Sequence, residues 1–208
     1  HFEMGMFGGL IVDPPEGQGI AFESGPAYQA EALWVFDDVD PRWHELGHDA
    51  GMCPDGHVDV GLNDFNPRYF LLGGVPHPWT RTTRRSQSFK FPMDFVVVQA
   101  RSGQTILIRL MNASYSELRA VFPFDVKVIA TDGRALRESD PLAARPGEYA
   151  RPWTIRAGAV LDVETAQRRD LLVGPLDPGT YPVSVTFHDL IRPAKVWGSV
   201  ETVVRITQ

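Results

Sequence analysis

The sequence predicts an all-β fold, a sandwich or barrel with little helix, and three observations carry that prediction. Seventeen Pro and nineteen Gly are scattered through the 208 residues, and these residues break a chain into short elements. The segments between them are strand-sized and rich in Val, Ile, Phe, Tyr and Thr. Several alternate with period two, the pattern of a strand that buries one face and wets the other.

Taken in order, the candidate strands are GGLIV at 8–12, QAEALWVFDD at 29–38, YFLLGG at 69–74, FVVVQA at 95–100 and TILIRLMNAS at 105–114. DVKVIATDG at 125–133, TIRA at 154–157, RDLLVG at 169–174, TYPVSVTFHD at 180–189 and SVETVVRIT at 199–207 follow. In TYPVSVTF, Tyr181, Val183, Val185 and Phe187 fall on one side; in ILIRL, Ile106, Ile108 and Leu110 oppose Leu107 and Arg109. RSGQ, TDGR and LDPGT mark turns, because Gly accepts positive φ and Pro presets a turn. Helix is expected only around 40–49, with Asp40 as cap and Pro41 in the first helical position.

Bulk composition narrows the function classes. Apolar residues at 43% and charged residues at 22% are ordinary for a globular chain. No apolar stretch approaches the roughly 18 residues of a membrane-spanning helix, so no membrane span is expected. A formal charge of −6 argues against nucleic acid, whose phosphates need a positive field. The basic run TRTTRRSQSFK at 80–90 reads as a solvated loop. Cys53 is the single cysteine, so no intrachain disulfide can form. Gly73-Gly74 lacks the Lys and helix of a phosphate loop, and no G-x-S-x-G marks a serine hydrolase. Asp37-Asp38 and Glu138/Asp140 are acidic pairs with no base that the sequence can identify.

The order of the segments is more informative than any one of them. YFLLGGVPHP, FVVVQARSGQTILIRLMNAS, FPFDVKVIATDGRAL and RRDLLVGPLDPGTYPV together resemble a middle cupredoxin domain of a multicopper oxidase. The matching positions are Gly73-Gly74, Gly103-Gln104, Arg109, Asn112-Ala113, Asp132-Gly133, Asp170 and Gly179 to Tyr181. The likeness covers about residues 28 to 208 and implies a cupredoxin-like Greek-key β-sandwich or barrel.

HFEMGMFGGLIV, at the start of the chain, resembles the last strand of a preceding cupredoxin domain. The resemblance implies that His1 is an equatorial and Met6 a weak axial ligand of a blue copper, with the Cys supplied earlier. A loop can bring an imidazole and a thioether to one copper from the two sides of a turn. The expected organisation is therefore residues 1–13 as that last strand, 14–27 as a linker and 28–208 as a largely copper-free middle domain.

The resemblance further implies copper as cofactor and other cupredoxin domains or chains of the same oxidase as partners. It also implies a periplasmic or extracellular location, and oxidation of a reducing substrate with electrons passed to dioxygen in the complete protein. The departures are equally definite. No Cys or second His stands upstream, Cys53 comes too late in the order, and no His-x-His pair exists for a trinuclear site. The alternative is a non-catalytic cupredoxin-like binding or structural module that has lost copper. A third reading takes His1 as one arm of a histidine brace, with His188 or His77 as its partner.

Among the remaining candidates, WHELGHDAGMCPDGHVD gathers His44, His48, Asp49, Cys53 and His57. His44 and His48 would share a face on a helical turn, a geometry that suits zinc or copper; the stretch is nevertheless read as a long surface loop. Met4 is read as a packing residue, His188 as a hydrogen-bonded strand residue and His77, between two prolines, as part of a turn. Asn112-Ala113-Ser114 forms a glycosylation sequon, but the resemblance makes Asn112 a backbone-bonding residue.

Overall fold

The computed structural model describes residues 4–46, 64–82, 86–87, 93–138 and 151–208. The strands are β1 (Ala30–Val39), β2 (Tyr69–Leu72), β3 (Val75–Pro76), β4 (Ser86–Gln87), β5 (Met93–Asp94), β6 (Val98–Arg101), β7 (Ile106–Asn112) and β8 (Glu117–Val121). They continue with β9 (Val126–Thr131), β10 (Arg134–Ala135), β11 (Trp153–Ile155), β12 (Val160–Val163), β13 (Arg168–Val173), β14 (Gly179–His188) and β15 (Val196–Thr207). One helix, α1 (Pro41–Leu46), and a 3-10 turn at Trp79–Arg81 complete the described elements.

Two mixed sheets face each other. The larger runs β10-β9-β13-β7-β1-β2-β3, with β11 beside β9 and the β4-β5 pair beside β1; the smaller runs β12-β8-β14-β15-β6. β1 pairs in parallel with β7, and β15 with β6. The fold is all-β and cupredoxin-like, as the sequence predicts.

Period-two alternation builds the core. Trp34 and Phe36 of β1, Ile106, Ile108 and Leu110 of β7, and Leu171 and Val173 of β13 meet Leu118, Ala120, Val183, Val185, Phe187, Val200 and Val204 of the other sheet. Trp34 is fully buried, and its indole N–H donates to the Val96 carbonyl at 2.9 Å. Removing so large a buried ring costs about 3–5 kcal/mol.

The candidate strands from residue 29 onward form, with shifted ends. FVVVQA pairs only from Val98, because the Val96 carbonyl is taken by Trp34 and by the Thr202 hydroxyl at 2.8 Å instead of by a ladder partner. Two longer strands escape the sequence reading. In β8 only Leu118 and Ala120, on either side of Arg119, join the core, and in β12 only Leu161 and Val163 turn inward. The TDG turn between β9 and β10 has positive φ at both central residues, Asp132 (51°) and Gly133 (80°), which matches the twist of the flanking strands. In α1, Asp40 accepts from the Arg42 N–H at 3.0 Å and so caps the helix, as expected.

The outer face of the larger sheet is covered by the chain that precedes β1. Residues 14–27, the expected linker, form an Ile20–Ala27 bridge, and Ala21 packs with Tyr28, Leu107 and Ile129.

Candidate functional site

The N-terminal segment lies across that same outer face. His1 lies outside the described residues. Met4 and Gly5 form a turn, with Gly5 at φ 72°. Beyond it the chain alternates: Phe7 and Ile11 pack against Leu33, Val35, Ala113 and Met111. Met6, Leu10 and Val12 point outward, 67%, 89% and 81% exposed. Gly9 crosses Leu33 so closely that a Cβ there would sit 2.7 Å from Leu33 Cδ2.

The strand expected at 8–12 is not formed. The alternation is present, but a strand is completed by a ladder, and the segment pairs with no strand among the described residues.

Met6 offers a soft, accessible thioether, a donor class that suits copper. Among the described residues no group of three or more His, Cys, Asp or Glu could hold a metal ion. The Met6 thioether is thus a donor of a class that copper takes, and the other ligands of any such site would have to come from other residues.

Beside this segment lies a cavity of about 290 Å³, walled by Gly9, Ile11 and Phe22 and floored by Leu33, Arg109 and Asp170. In the floor, Arg109 donates from Nε to Glu31 at 2.6 Å and from Nη1 to Asp170 at 2.7 Å. Burial opposes the Arg109 charge, but Asp170 and Glu31 outweigh it and hold the guanidinium more firmly charged than usual. Burial pushes the Asp170 carboxyl up, and the Arg109 charge only partly pulls it back. The triad ties β1, β7 and β13 together under the N-terminal segment. Arg109 and Asp170 belong to the sequence resemblance; Glu31 was missed, and its signal is a lone acid within the apolar run EALWVF.

A second group of buried acids lies at the far end of β1. Asp37 is 8% and Asp38 0% exposed. Burial, helped by the neighbouring Asp38 charge, pushes the Asp37 carboxyl up to about 7. Burial alone pushes Asp38 up to about 6, against the Ser116 and Tyr115 bonds that favour its charge. Tyr115 also closes a three-ring cluster with Trp43 and Phe65, at centroid distances of 5.0–5.4 Å.

Asn112 is buried and spends its whole amide on the backbone and on Ser114. Nδ2 donates to the Ser116 and Val163 carbonyls, and Oδ1 accepts from the Ser114 N–H and hydroxyl. It is a structural residue, as the resemblance implies.

The other candidates separate widely. His44 is exposed on α1; His48, Asp49, Cys53 and His57 lie outside the described residues. His44-Glu45-Leu46-Gly47-His48 has the H-E-x-x-H spacing of zinc helices; α1 carries the first His, and the second lies outside the described residues. His77 Nδ1 accepts from the Glu201 N–H at 3.4 Å. His188 is buried, with Nδ1 bonded to the Pro193 carbonyl and Nε2 to the Thr186 hydroxyl, each at 2.8 Å. Asp140 and part of the basic run, 83–85 and 88–90, lie outside the described residues; Thr80 is buried within the 3-10 turn. No helix among the described residues is long and apolar enough to cross a membrane.

No family model matches the sequence, and no curated protein matches it significantly. Solved structures do match the fold. A blue copper oxidase from Nitrosomonas europaea superposes with a TM-score of 0.50 at 16% identity, over 85% of this chain and 43% of that one. Fet3p, a multicopper oxidase that functions in iron import, gives 0.52 at 12% identity, over 86% of this chain and 28% of that one. A laccase from Botrytis aclada gives 0.52 at 14% identity, over 89% and 31%. The chain thus shares a fold found in multicopper oxidases, and it spans less than half the length of each of these structures.

Proposed function

We propose that this chain is part of a copper-dependent multicopper oxidase. In this reading residues 1–13 carry ligands of a blue copper in a preceding cupredoxin domain, 14–27 connect, and 28–208 form a largely copper-free domain that spaces and orients its neighbours. His1 would be the equatorial and Met6 the axial ligand. Bound there, copper would supply one-electron oxidation of a reducing substrate, with dioxygen reduced at copper held elsewhere in the complete protein. The partners are other cupredoxin domains or chains of the same oxidase, and the setting is periplasmic or extracellular.

One observation carries the reading. Residues 6–12 run extended with Phe7 and Ile11 seated on this domain, while Met6, Leu10 and Val12 face outward. An apolar row that seats one side on a sheet and turns the other outward is half of a strand's environment. The other half suits a neighbouring sheet, and the accessible thioether stands at the head of that row.

The test is a polypeptide that extends upstream through a Cys and a second His, loaded with copper. Blue absorption and a type 1 paramagnetic signal that change in Met6→Leu support the reading. A colourless, copper-free polypeptide overturns it and leaves a non-catalytic cupredoxin-like module.

A further inference from the structure

We infer that the copper-free domain positions the Met6 thioether, with the Leu33 and Val35 face of β1 as its seat and Phe7, Gly9 and Ile11 as the contacts that grip it. The inference rests on the copper reading of Met6 and adds a role for residues that bind no metal. Met6 is one peptide away from Phe7, which is anchored on the Leu33, Val35, Ala113 and Met111 cluster. Ile11, the second anchor, is four residues on, about 13 Å along an extended chain. Two anchors at that separation fix both the height and the direction of the segment between them. Gly9 adds a third contact, since a Cβ there would sit 2.7 Å from the end of the Leu33 side chain, which would have to move to admit it.

The seat itself is stiff. Leu33 pairs in register with Arg109, and Arg109 is held at 2.6 Å by Glu31 and at 2.7 Å by Asp170. Gly5, at φ 72°, turns the chain just before Met6, so the thioether is carried at a turn whose outgoing arm is pinned to the sheet. An axial thioether forms a long, weak bond whose strength tunes the potential of a blue copper. A change in the height of the segment over Leu33 therefore alters the copper without touching a ligand.

The experiment uses the copper-loaded polypeptide with its upstream Cys and His, and reads the copper hyperfine splitting, the blue band and the reduction potential. Gly9→Ala and Ile11→Ala are expected to shift all three, in the direction set by Met6→Leu. Adding Leu33→Val to Gly9→Ala is expected to return part of the shift, because it removes the methyl that the new Cβ meets. Leu190→Ser, exposed in the β14–β15 turn, should leave the signals as in the parent.

If Met6→Leu changes the copper while Gly9→Ala and Ile11→Ala do not, the positioning role is wrong and the copper reading stands. If Met6→Leu changes nothing, both fall. The copper-free 208-residue chain supplies the folding control. Ile11→Ala should retain one cooperative transition and shift the Met6 methyl resonance; an unmoved resonance also counts against the positioning role.

Discussion

Asp38 accepts a 2.5 Å hydrogen bond from the Ser116 hydroxyl, so a carboxylate buried at the end of β1 holds the turn between β7 and β8. Its neighbour Asp37 is buried as well, and both carboxyls are pushed up, to about 6 and about 7. An unfolded Asp releases its proton near pH 4. Between that pH and about 7 the folded chain keeps protons that the unfolded chain has lost, so stability falls as pH rises through the window. Asp37→Asn should flatten this slope and stabilise the chain at pH 8 by up to about 4 kcal/mol. Urea unfolding at pH 5 and pH 8 measures it; an unchanged slope in the variant would contradict the assignment.

Arg109 between Glu31 and Asp170 sets a second expectation. Arg109→Met leaves two buried carboxylates facing each other without a cation, at a cost of about 3–5 kcal/mol. Because protonation removes the uncompensated charge, the deficit should shrink as the pH is lowered toward 4. Parallel unfolding curves of parent and variant at pH 7 and pH 4 test this, and a deficit independent of pH would show that the loss is one of packing.

Asn112 makes four hydrogen bonds from one buried side chain. Asn112→Ala takes these bonds from the Val163 carbonyl and the Ser114 N–H, while the Ser116 carbonyl keeps the Ser114 and Thr165 hydroxyls, and should cost about 3 kcal/mol. The same burial keeps the sequon out of reach once the domain has folded. Intact mass after expression in a glycosylating host should show no glycan at Asn112, and a fully occupied site would refute the placement.

Gly198 faces the Phe70 ring so closely that any Cβ would collide with it. Gly198→Ala should destabilise by about 1–3 kcal/mol through overpacking. Phe70→Leu in the same chain should recover part of the loss, a coupling that a double-mutant cycle reads directly.

Most of the sandwich was legible because its strands obey the period-two rule over five residues or more. Tyr181 to Phe187 and Ile106 to Leu110 are examples, and their inward residues are those the alternation names. Legibility failed where pairing is decided by something beyond the strand. Residues 8–12 alternate as well as any segment, yet no neighbour completes their ladder among the described residues. Val96 is an apolar residue in an apolar run, but its carbonyl belongs to Trp34 and Thr202, far off in sequence. At the candidate site, Met6 stood out through its spacing from His1. Glu31 did not, because a carboxylate in a strand acquires meaning only when β7 and β13 bring Arg109 and Asp170 beside it. Asp38 was visible as an acid, while its Ser116 partner is 78 residues away.

The parallel pairing of β1 with β7 also governs how the molecule is assembled. Ala30 of β1 meets Ile106 of β7, and β6 waits for β15, whose last residue is Thr207. Contacts so distant in sequence require long loops to close before any ladder energy is returned, which slows folding. During synthesis from the N-terminus, β1 emerges well before its central neighbour exists, and β6 remains without β15 until all the strands between them have been made. The domain is thus expected to close late and nearly all at once, with the hydrophobic β1 segment in need of shelter until then.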